Sequence, residues 1–213
     1  GLSHKRAPLD VRERLAFARD TIPEVLARML AAPGVGECVV LSTCNRVEVY
    51  AAPVGRAPSP AEVNATAHGV HAALIDLGGA KVTPHLAAAE GSAAVRHLFR
   101  VAASLDSLVV GEPQILGQMK DAVEVARGVR ALGATLGNAM HRAVRVGKRV
   151  RTETQIGAGQ VSVSSVAVDL ARQIFGDLTG RVALLVGAGE MAESAAKLLV
   201  KAGARLIVVN RSP

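Results

Sequence analysis

The chain has 213 residues and a formal net charge of +7; half of its residues are hydrophobic and 20% are charged. This composition is typical of a globular protein, and no apolar run reaches the roughly 18 residues that a membrane-spanning helix needs. The two cysteines, Cys38 and Cys44, are too few for a disulfide framework, which favours a reducing, cytoplasmic compartment.

Capping signals predict the positions of several helices. Asp10 and Glu13 have capping-box spacing, which predicts a helix over residues 11–17. Ser59 and Glu62 repeat this spacing at the start of a second apolar-periodic stretch.

The middle of the chain is predicted to be mainly helical. Residues 81–85 predict a short strand, and Ser92 is expected to cap the helix that follows it. Two further helices are expected over residues 113–127 and 134–154, and the second has its apolar residues roughly on one face.

A polar connection joins two short β-rich runs, residues 38–41 and 47–50, which predict neighbouring strands. Cys44 lies in this connection near Arg46, a position that favours an exposed thiol with a lowered pKa. Cys38 lies within the first run, where a free cysteine is usually a small buried hydrophobe. Cys44 is therefore the candidate nucleophile.

A dinucleotide-binding fingerprint follows the predicted strand over residues 181–186. With a helix over 190–202 and a second strand over 205–210, it forms a βαβ unit. The glycines permit a tight turn and close approach to a pyrophosphate, and the helix N-terminus favours its negative charge. The residues predicted to bind the cofactor here are Gly187, Ala188, Gly189, Glu190, Met191 and Ala192.

The second strand of this unit ends in Asn210, Arg211 and Ser212. A site selective for NAD usually has an acidic residue near this point, which binds the ribose 2′-hydroxyl group. A guanidinium and a hydroxyl group suit a 2′-phosphate instead, so the sequence predicts NADP(H) as the cofactor.

The predicted fold class is α/β, with an N-terminal α+β catalytic domain over residues 1–156 and a truncated Rossmann-type NADP-binding domain over 157–213. Both strands of the second domain are apolar throughout, so they are expected to be buried on both faces of a larger sheet. The chain is therefore expected to be a fragment of a longer protein. His68 and His71 have no third ligand nearby, and no metal site is predicted.

Four blocks of the sequence, residues 1–8, 41–50, 105–118 and 148–154, resemble the glutamyl-tRNA reductase family. The most specific are Thr-Cys-Asn-Arg and Gly-Glu-Pro-Gln-Ile-Leu-Gly-Gln, whereas the dinucleotide fingerprint is shared by many families. The resemblance implies NADPH-dependent reduction of glutamyl-tRNA(Glu) to glutamate-1-semialdehyde through a cysteine thioester. This reaction is the first step of the five-carbon route to tetrapyrroles.

The same resemblance implies roles for individual residues, with Cys44 as the nucleophile and His97 important for activity. Arg46 is also a natural bidentate partner for a glutamate carboxylate. A lone histidine on an apolar helix face is more often a core residue, and His97 could act as an acid–base group or as an orienting group. The residues implied to hold the glutamyl group are Thr43, Asn45, Arg46, Ser107, Glu112, Pro113, Gln114 and Gln118.

Positive charge is concentrated in one segment, and there it has two interpretations. Either the segment is a solvated helix face, which is the usual interpretation of a single run of charges, or it binds the phosphates of tRNA(Glu). In the second case it would recognise the backbone and shape of the tRNA. The family also implies a homodimer of the full-length protein, through a domain absent from this chain, and glutamate-1-semialdehyde aminomutase as a candidate partner. The basic residues are Arg142, Arg145, Lys148, Arg149 and Arg151.

Two alternative functions remain open at the level of sequence. Another NADP oxidoreductase, similar to shikimate dehydrogenase, would transfer hydride without a covalent intermediate. A non-enzymatic RNA- or partner-binding module would have no use for a presented thiol. Substitution of Cys44 by serine should abolish reductase activity that depends on a thioester and spare the activity of the first alternative. Selective labelling of Cys44 over Cys38 by iodoacetamide would count against the second alternative.

Overall fold

The computed structural model of the protein describes residues 1–55, 57–157 and 162–210. The part that precedes the nucleotide-binding fingerprint combines a small sheet with helices that pack around it. In chain order its strands and helices are β1 (Leu2–Ser3), α1 (Leu9–Arg12), α2 (Ile22–Leu30), β2 (Glu37–Ser42), β3 (Arg46–Ala52), α3 (Pro60–Gly78), α4 (Gly91–Ala102), α5 (Gln114–Gly128) and α6 (Ala134–Glu153).

The three strands form an antiparallel sheet in the order β1-β3-β2. Strands β2 and β3 are a hairpin, in which Ser42 pairs with Val47 next to the turn. Leu2 of β1 pairs with the same Val47 from the other side. This register places the N-terminal segment beside the hairpin turn, and the predicted pair of strands around Cys44 is confirmed as β2 and β3.

Helices α2, α5 and α6 pack against β2, and α4 packs against α6. The last contact is unusually close, because a Cβ atom added to Gly147 of α6 would lie 2.3 Å from the Ala102 carbonyl oxygen of α4. The start of α6 is fixed to the sheet by Glu37, whose carboxylate accepts hydrogen bonds from the backbone N–H groups of Thr135 and Leu136, at 3.0 and 2.7 Å. An acidic group at this end of a helix also interacts favourably with the helix dipole.

The capping box at the start of α3 is confirmed. The Ser59 hydroxyl accepts a hydrogen bond from the Glu62 backbone N–H, and the Glu62 carboxylate accepts one from the Ser59 backbone N–H at 2.7 Å. The predicted helices over 113–127 and 134–154 are also found, as α5 and α6.

Three local predictions are wrong. Helix α1 ends at Arg12 and follows Pro8 without a side-chain cap, since Asp10 already lies inside the helix. The predicted strand over 81–85 is a 3₁₀ helix, Ala80–His85. Ser92 also lies inside its helix, because α4 begins one residue earlier and has no side-chain cap.

The predicted βαβ unit is confirmed. After α7 (Val163–Phe175) the chain forms β4 (Val182–Val186), α8 (Glu190–Lys201) and β5 (Arg205–Val209), and the two strands are parallel. Together with the N-terminal elements, this unit gives the predicted α/β class. The domain boundary at residues 156/157 stays a prediction.

Among the described residues the two strands form a sheet of their own and are not buried on both faces, so their burial within a larger sheet stays a prediction. Helix α8 packs against the two strands, but Val182, Leu184, Val186 and Ile207 are each more than half exposed, at 59%, 61%, 81% and 53%. Helix α8 therefore shields only part of this apolar sheet. Among the described residues, no helix has both the length and the apolar character of a membrane span.

Candidate active site

Cys44 lies at the tip of the β2–β3 hairpin, in the turn formed by residues 43–45. The Thr43 hydroxyl closes this turn, because it accepts hydrogen bonds from the backbone N–H groups of Asn45 and Arg46 at 3.2 and 3.1 Å. The Cys44 side chain is exposed, whereas Cys38 is fully buried and burial raises the pKa of its thiol to about 12. Of the two thiols, only Cys44 is exposed to solvent.

The N-terminal segment lies against this turn. The backbone N–H of His4 donates to the Asn45 carbonyl oxygen at 2.8 Å, and Nη1 of Arg12 donates to the carbonyl oxygen of Cys44. Sequence reasoning assigned no role to His4, which lies within the N-terminal block that resembles the family, or to Arg12, which lies four residues after it. Their position follows from the pairing of β1 with β3.

Arg46 is 1% exposed, and its guanidinium is held within the protein. Nη1 donates to Glu48 Oε1 at 2.7 Å and lies 3.4 Å from Asp106 Oδ2, and Nη2 donates to the Asp106 carbonyl oxygen. Lys5 pairs with the same Asp106 carboxylate. Both terminal nitrogens of Arg46 therefore already have partners within the protein, and its bidentate pair with a substrate carboxylate stays a prediction.

Glu48 connects Arg46 to His97. His97 Nε2 lies 2.9 Å from Glu48 Oε1, and the Tyr50 hydroxyl donates to Glu48 Oε2 at 2.5 Å. Burial acts to raise the Glu48 pKa, but the His97 hydrogen bond and the Arg46 charge outweigh it, and the pKa is lowered. Burial and the Glu48 charge together raise the pKa of Tyr50 well above its usual range.

Sequence reasoning missed Glu48 and Tyr50, but a signal was present. Residues 46, 48 and 50 alternate along β3, so their side chains point to the same face of the sheet. A glutamate between an arginine and a tyrosine on one face is a candidate for a buried polar cluster. The His97 side chain is 38% exposed, so it reaches the surface and is not a core residue.

The lowered pKa expected for the Cys44 thiol is not found. Partial burial raises this pKa, and the charge of Glu112 raises it further. A hydrogen bond to the cysteine backbone and the charge of Arg12 act in the opposite direction without reversing the shift. Arg12, and not the neighbouring Arg46, is thus the cation that favours the thiolate.

The loop between α4 and α5 carries Ser107, Glu112 and Pro113. Ser104 opens this loop with a φ of +58°, and its hydroxyl donates to the Glu112 carbonyl oxygen at 2.8 Å. Ser107 is only 6% exposed, and its hydroxyl has no hydrogen-bond partner among the described residues. A buried hydroxyl of this kind is available to a ligand, and the role of Ser107 as a substrate contact stays a prediction.

Gln114 connects this loop to the nucleotide-binding unit. It begins α5 directly after Pro113, and its Nε2 lies 3.3 Å from the Met191 sulfur at the start of α8. Gln118 is half-buried one helical turn farther along α5, so both amides can face one pocket. A residue predicted to bind substrate and one predicted to bind cofactor are therefore in direct contact.

The fingerprint loop has the geometry that a dinucleotide needs. Gly187 has a φ of +103°, and a Cβ atom added at Gly187 or Gly189 would meet no atom within 4 Å. The open space lies at the N-terminus of α8, where backbone N–H groups favour phosphate. Ala188 is exposed and Ala192 half-buried beside it. The predicted 2′-phosphate contacts at residues 211 and 212 lie outside the described residues, and the described strand β5 leads directly to Asn210.

Two helices present positive charge near the site. On α6, Arg142, Arg145 and Lys148 are exposed, whereas Arg149 is paired with Glu153 at 2.8 Å and Arg151 Nη1 lies 3.4 Å from the Glu112 carbonyl oxygen. A shallow cavity of about 400 Å³, open to solvent, lies along one face of α4 beside His97. The residues that line it are Ser92, Ala93, Arg96, His97 and Arg100.

The family model described as the glutamyl-tRNA(Glu) reductase N-terminal domain matches residues 1–154. The chain belongs to the glutamyl-tRNA reductase family. It is 65% identical over its whole length to the glutamyl-tRNA reductase of Sorangium cellulosum and 47% identical to that of Geobacter sulfurreducens, covering 43% and 48% of those proteins. The chain thus spans about half the length of the curated relatives it matches.

A solved structure agrees with this family assignment. Glutamyl-tRNA reductase from Methanopyrus kandleri matches with a TM-score of 0.59 and 37% identity, over 99% of this chain and 48% of that one. A second family model, shikimate/quinate 5-dehydrogenase, matches residues 169–213 only. The alternative of a shikimate-dehydrogenase-like protein therefore accounts for the nucleotide-binding part and leaves the hairpin with Cys44 unexplained.

Proposed function

We propose that this chain carries the catalytic half of an NADPH-dependent glutamyl-tRNA reductase, which converts glutamyl-tRNA(Glu) to glutamate-1-semialdehyde in tetrapyrrole synthesis. The observation that carries this proposal is the exposed Cys44 thiol on a rigid turn, in a chain whose pocket residue Gln114 contacts the dinucleotide loop at Met191. An exposed thiol and a nicotinamide site in one protein suit reduction through a thioester.

The covalent step uses the thiolate of Cys44. The sulfur attacks the carbonyl carbon of the glutamyl ester, a C–S bond forms, and the carbonyl electron pair moves onto the oxygen. When that pair returns, the bond to the tRNA ribose oxygen breaks, and this oxygen leaves with a proton. NADPH, when bound, would supply a hydride to the thioester carbon; the C–S bond would then break, releasing the aldehyde and returning Cys44 to its thiolate form.

We assign His97 to proton transfer during this step. A carboxylate can only accept a hydrogen bond, so the contact with Glu48 implies that His97 Nε2 carries the proton. The other ring nitrogen, Nδ1, is then left as a base. Glu48 fixes the tautomer and orientation of the ring, in the way that a buried carboxylate orients a catalytic histidine.

The glutamyl group is proposed to lie between the hairpin turn and the start of α5. Ser107, Gln114 and Gln118 supply the hydroxyl and amide groups on one side. The residues proposed to complete the pocket are Thr43, Asn45, Glu112 and Pro113. Arg46 shapes this pocket through Glu48 and Asp106, because its own guanidinium is already occupied.

NADPH is proposed to bind at the fingerprint loop, with its pyrophosphate on residues 187–192 at the N-terminus of α8. Arg211 and Ser212, with Asn210, are proposed to select the 2′-phosphate. Substitution of Arg211 by glutamate should then shift cofactor preference toward NADH. Unchanged selectivity in steady-state kinetics would contradict this assignment.

The polyanionic part of the substrate is proposed to contact α4 and α6. The exposed basic residues of α6 and the two arginines of the α4 cavity lie on helices that pack against each other. Such a surface favours recognition of the tRNA backbone by charge and shape. For the full-length protein we further propose a homodimer and transfer of the aldehyde to glutamate-1-semialdehyde aminomutase.

The decisive test is mass spectrometry of the chain after incubation with glutamyl-tRNA(Glu). We expect a glutamyl adduct on Cys44, its loss in Cys44→Ser, and its retention in the matched variant Cys38→Ser. Cys38 is buried in the sheet, so its substitution should leave the adduct intact. Absence of an adduct from the unsubstituted chain, with reduction still proceeding in the full-length enzyme, would favour direct hydride transfer instead.

A further inference from the structure

Arg12 makes a contact that no role described so far explains. Its Nη1 donates to the carbonyl oxygen of Cys44, the residue proposed as the nucleophile. Its Nε is buried and has no hydrogen-bond partner among the described residues. A buried guanidinium nitrogen is normally hydrogen-bonded, so this one is available to a group that the free protein lacks.

The other basic groups around the turn are already engaged or neutral. Arg46 is bound to Glu48 and Asp106, and Lys5 is paired with Asp106. Burial and the nearby Arg46 charge lower the pKa of His4, so its imidazole is neutral at neutral pH. Arg12 is the cation of the described site that combines a contact with Cys44 and an unused buried donor.

We infer that Arg12 is a positioning residue for the nucleophile, which fixes the turn through the Cys44 carbonyl oxygen and stabilises the negative charge that develops at this residue. The charge is on the sulfur before attack and on the former carbonyl oxygen of the substrate after the C–S bond has formed. A guanidinium fixed at the Cys44 backbone, whose charge acts on the thiol, can stabilise negative charge in each state without rearrangement. This inference rests on the proposed function, because it assigns a partner to the proposed nucleophile.

The electrostatics of the turn agree with this role. Partial burial and the Glu112 carboxylate both raise the Cys44 pKa, and the Arg12 charge opposes them. Glu48 is paired with Arg46, and Asp106 is paired with both Arg46 and Lys5, so Glu112 and Arg12 are the two opposing side-chain charges that act on the thiol. Without Arg12 the thiolate would be scarcer at neutral pH.

The test is the rate at which iodoacetamide alkylates Cys44 as a function of pH, which requires neither tRNA nor cofactor. For Arg12→Gln we expect alkylation to slow roughly three- to tenfold at neutral pH, with the profile displaced to higher pH. Arg14→Gln is the matched control, because Arg14 is exposed two residues away and should leave the rate unchanged. Cys38 reports folding in the same experiment, since it stays unlabelled while the sheet is intact.

If Cys38 becomes labelled in Arg12→Gln, the variant has unfolded and Arg12→Lys replaces it. Lysine keeps the charge, so its profile should stay within about twofold of the unsubstituted chain. An unchanged profile in folded Arg12→Gln, or a large displacement in folded Arg12→Lys, would overturn the inference. Neither result depends on the glutamyl adduct, so failure of the proposed function is seen separately, as absence of that adduct from Cys44.

Discussion

His97 Nε2 and Glu48 Oε1 lie 2.9 Å apart, and this contact joins the surface of α4 to the buried face of β3. The same carboxylate accepts hydrogen bonds from Arg46 and Tyr50. Glu48 therefore fixes two groups: the His97 imidazole, which is proposed for proton transfer, and the Arg46 guanidinium, which binds Asp106 in the loop between α4 and α5. Stability and activity should both depend on this one side chain.

Glu48→Gln should lower the free energy of unfolding by about 3–5 kcal/mol at neutral pH, because it leaves the buried Arg46 without its closest carboxylate. The folded-state pKa of Glu48 is lowered, so its ionised form stabilises the protein above the ordinary carboxyl range. That stabilisation is lost as the pH falls through the lowered value. Urea unfolding at neutral and strongly acidic pH should therefore show a difference between variant and unsubstituted chain that shrinks on acidification.

Glu124→Gln provides the control for Glu48→Gln, because Glu124 is exposed on α5. It should leave both unfolding curves within about 0.5 kcal/mol of those of the unsubstituted chain. A Glu48→Gln variant as stable as this control would show that the buried cluster contributes no net stability.

Arg46→Lys separates a structural role for Arg46 from direct contact with the substrate. Lysine cannot donate to Glu48 and Asp106 in the same fork geometry, so we expect a loss of about 2–3 kcal/mol in unfolding free energy. Arg28→Lys is the comparison, since Arg28 pairs with Asp76 at an exposed position and should change little. A raised KM with unchanged stability would instead support the substrate-carboxylate role expected from the sequence.

The β2–β3 hairpin, the Ser59 capping box and the βαβ unit could be predicted because each depends on residues close together in the chain. Helix α1 and the 3₁₀ helix at 80–85 could not, since short segments are decided by what they pack against. The same limit applies to the site. His97 and Glu48 are 49 positions apart, and Lys5 and Asp106 are 101 apart.

The position of the charges was less predictable than the position of the thiol. The sequence places Arg46 two residues from Cys44, and proximity along the chain favoured a direct electrostatic effect. In a strand, however, the alternation of side chains directs Arg46 toward Glu48, while Arg12 reaches Cys44 across 32 positions of the chain. Tertiary contacts, and not sequence distance, decide which cation acts on the nucleophile.

The α4 cavity offers a direct test of tRNA binding. Arg96 and Arg100 are one helical turn apart, and neither forms an ion pair within the described part of the chain. Replacement of both by glutamine should weaken binding of uncharged tRNA(Glu) roughly tenfold. It should also reduce the slope of log K against log salt by about 1.5, as expected when two phosphate contacts are lost.

Fluorescence anisotropy with labelled tRNA(Glu) at several salt concentrations measures both quantities. The matched control is the double variant Arg127→Gln/Arg205→Gln, which removes the same charge from exposed positions outside the cavity. An equal loss of affinity in the two double variants would mean that net charge, and not the α4 cavity, determines binding.

Two glycines of the Gly-Glu-Pro-Gln-Ile-Leu-Gly-Gln block should respond in opposite directions to substitution by alanine. Gly111 has a φ of +88°, and a Cβ atom there would lie 2.0 Å from the Ile156 carbonyl oxygen, so Gly111→Ala should lose about 2–4 kcal/mol and displace the loop that carries Glu112. Gly117 lies inside α5 with no atom within 4 Å of an added Cβ, so Gly117→Ala should gain about 0.5–1 kcal/mol. Thermal or urea unfolding of both variants measures these changes. A Gly111→Ala variant as stable as the unsubstituted chain would contradict the close approach of the loop to Ile156, and a loss of stability in Gly117→Ala would contradict the open space at that position.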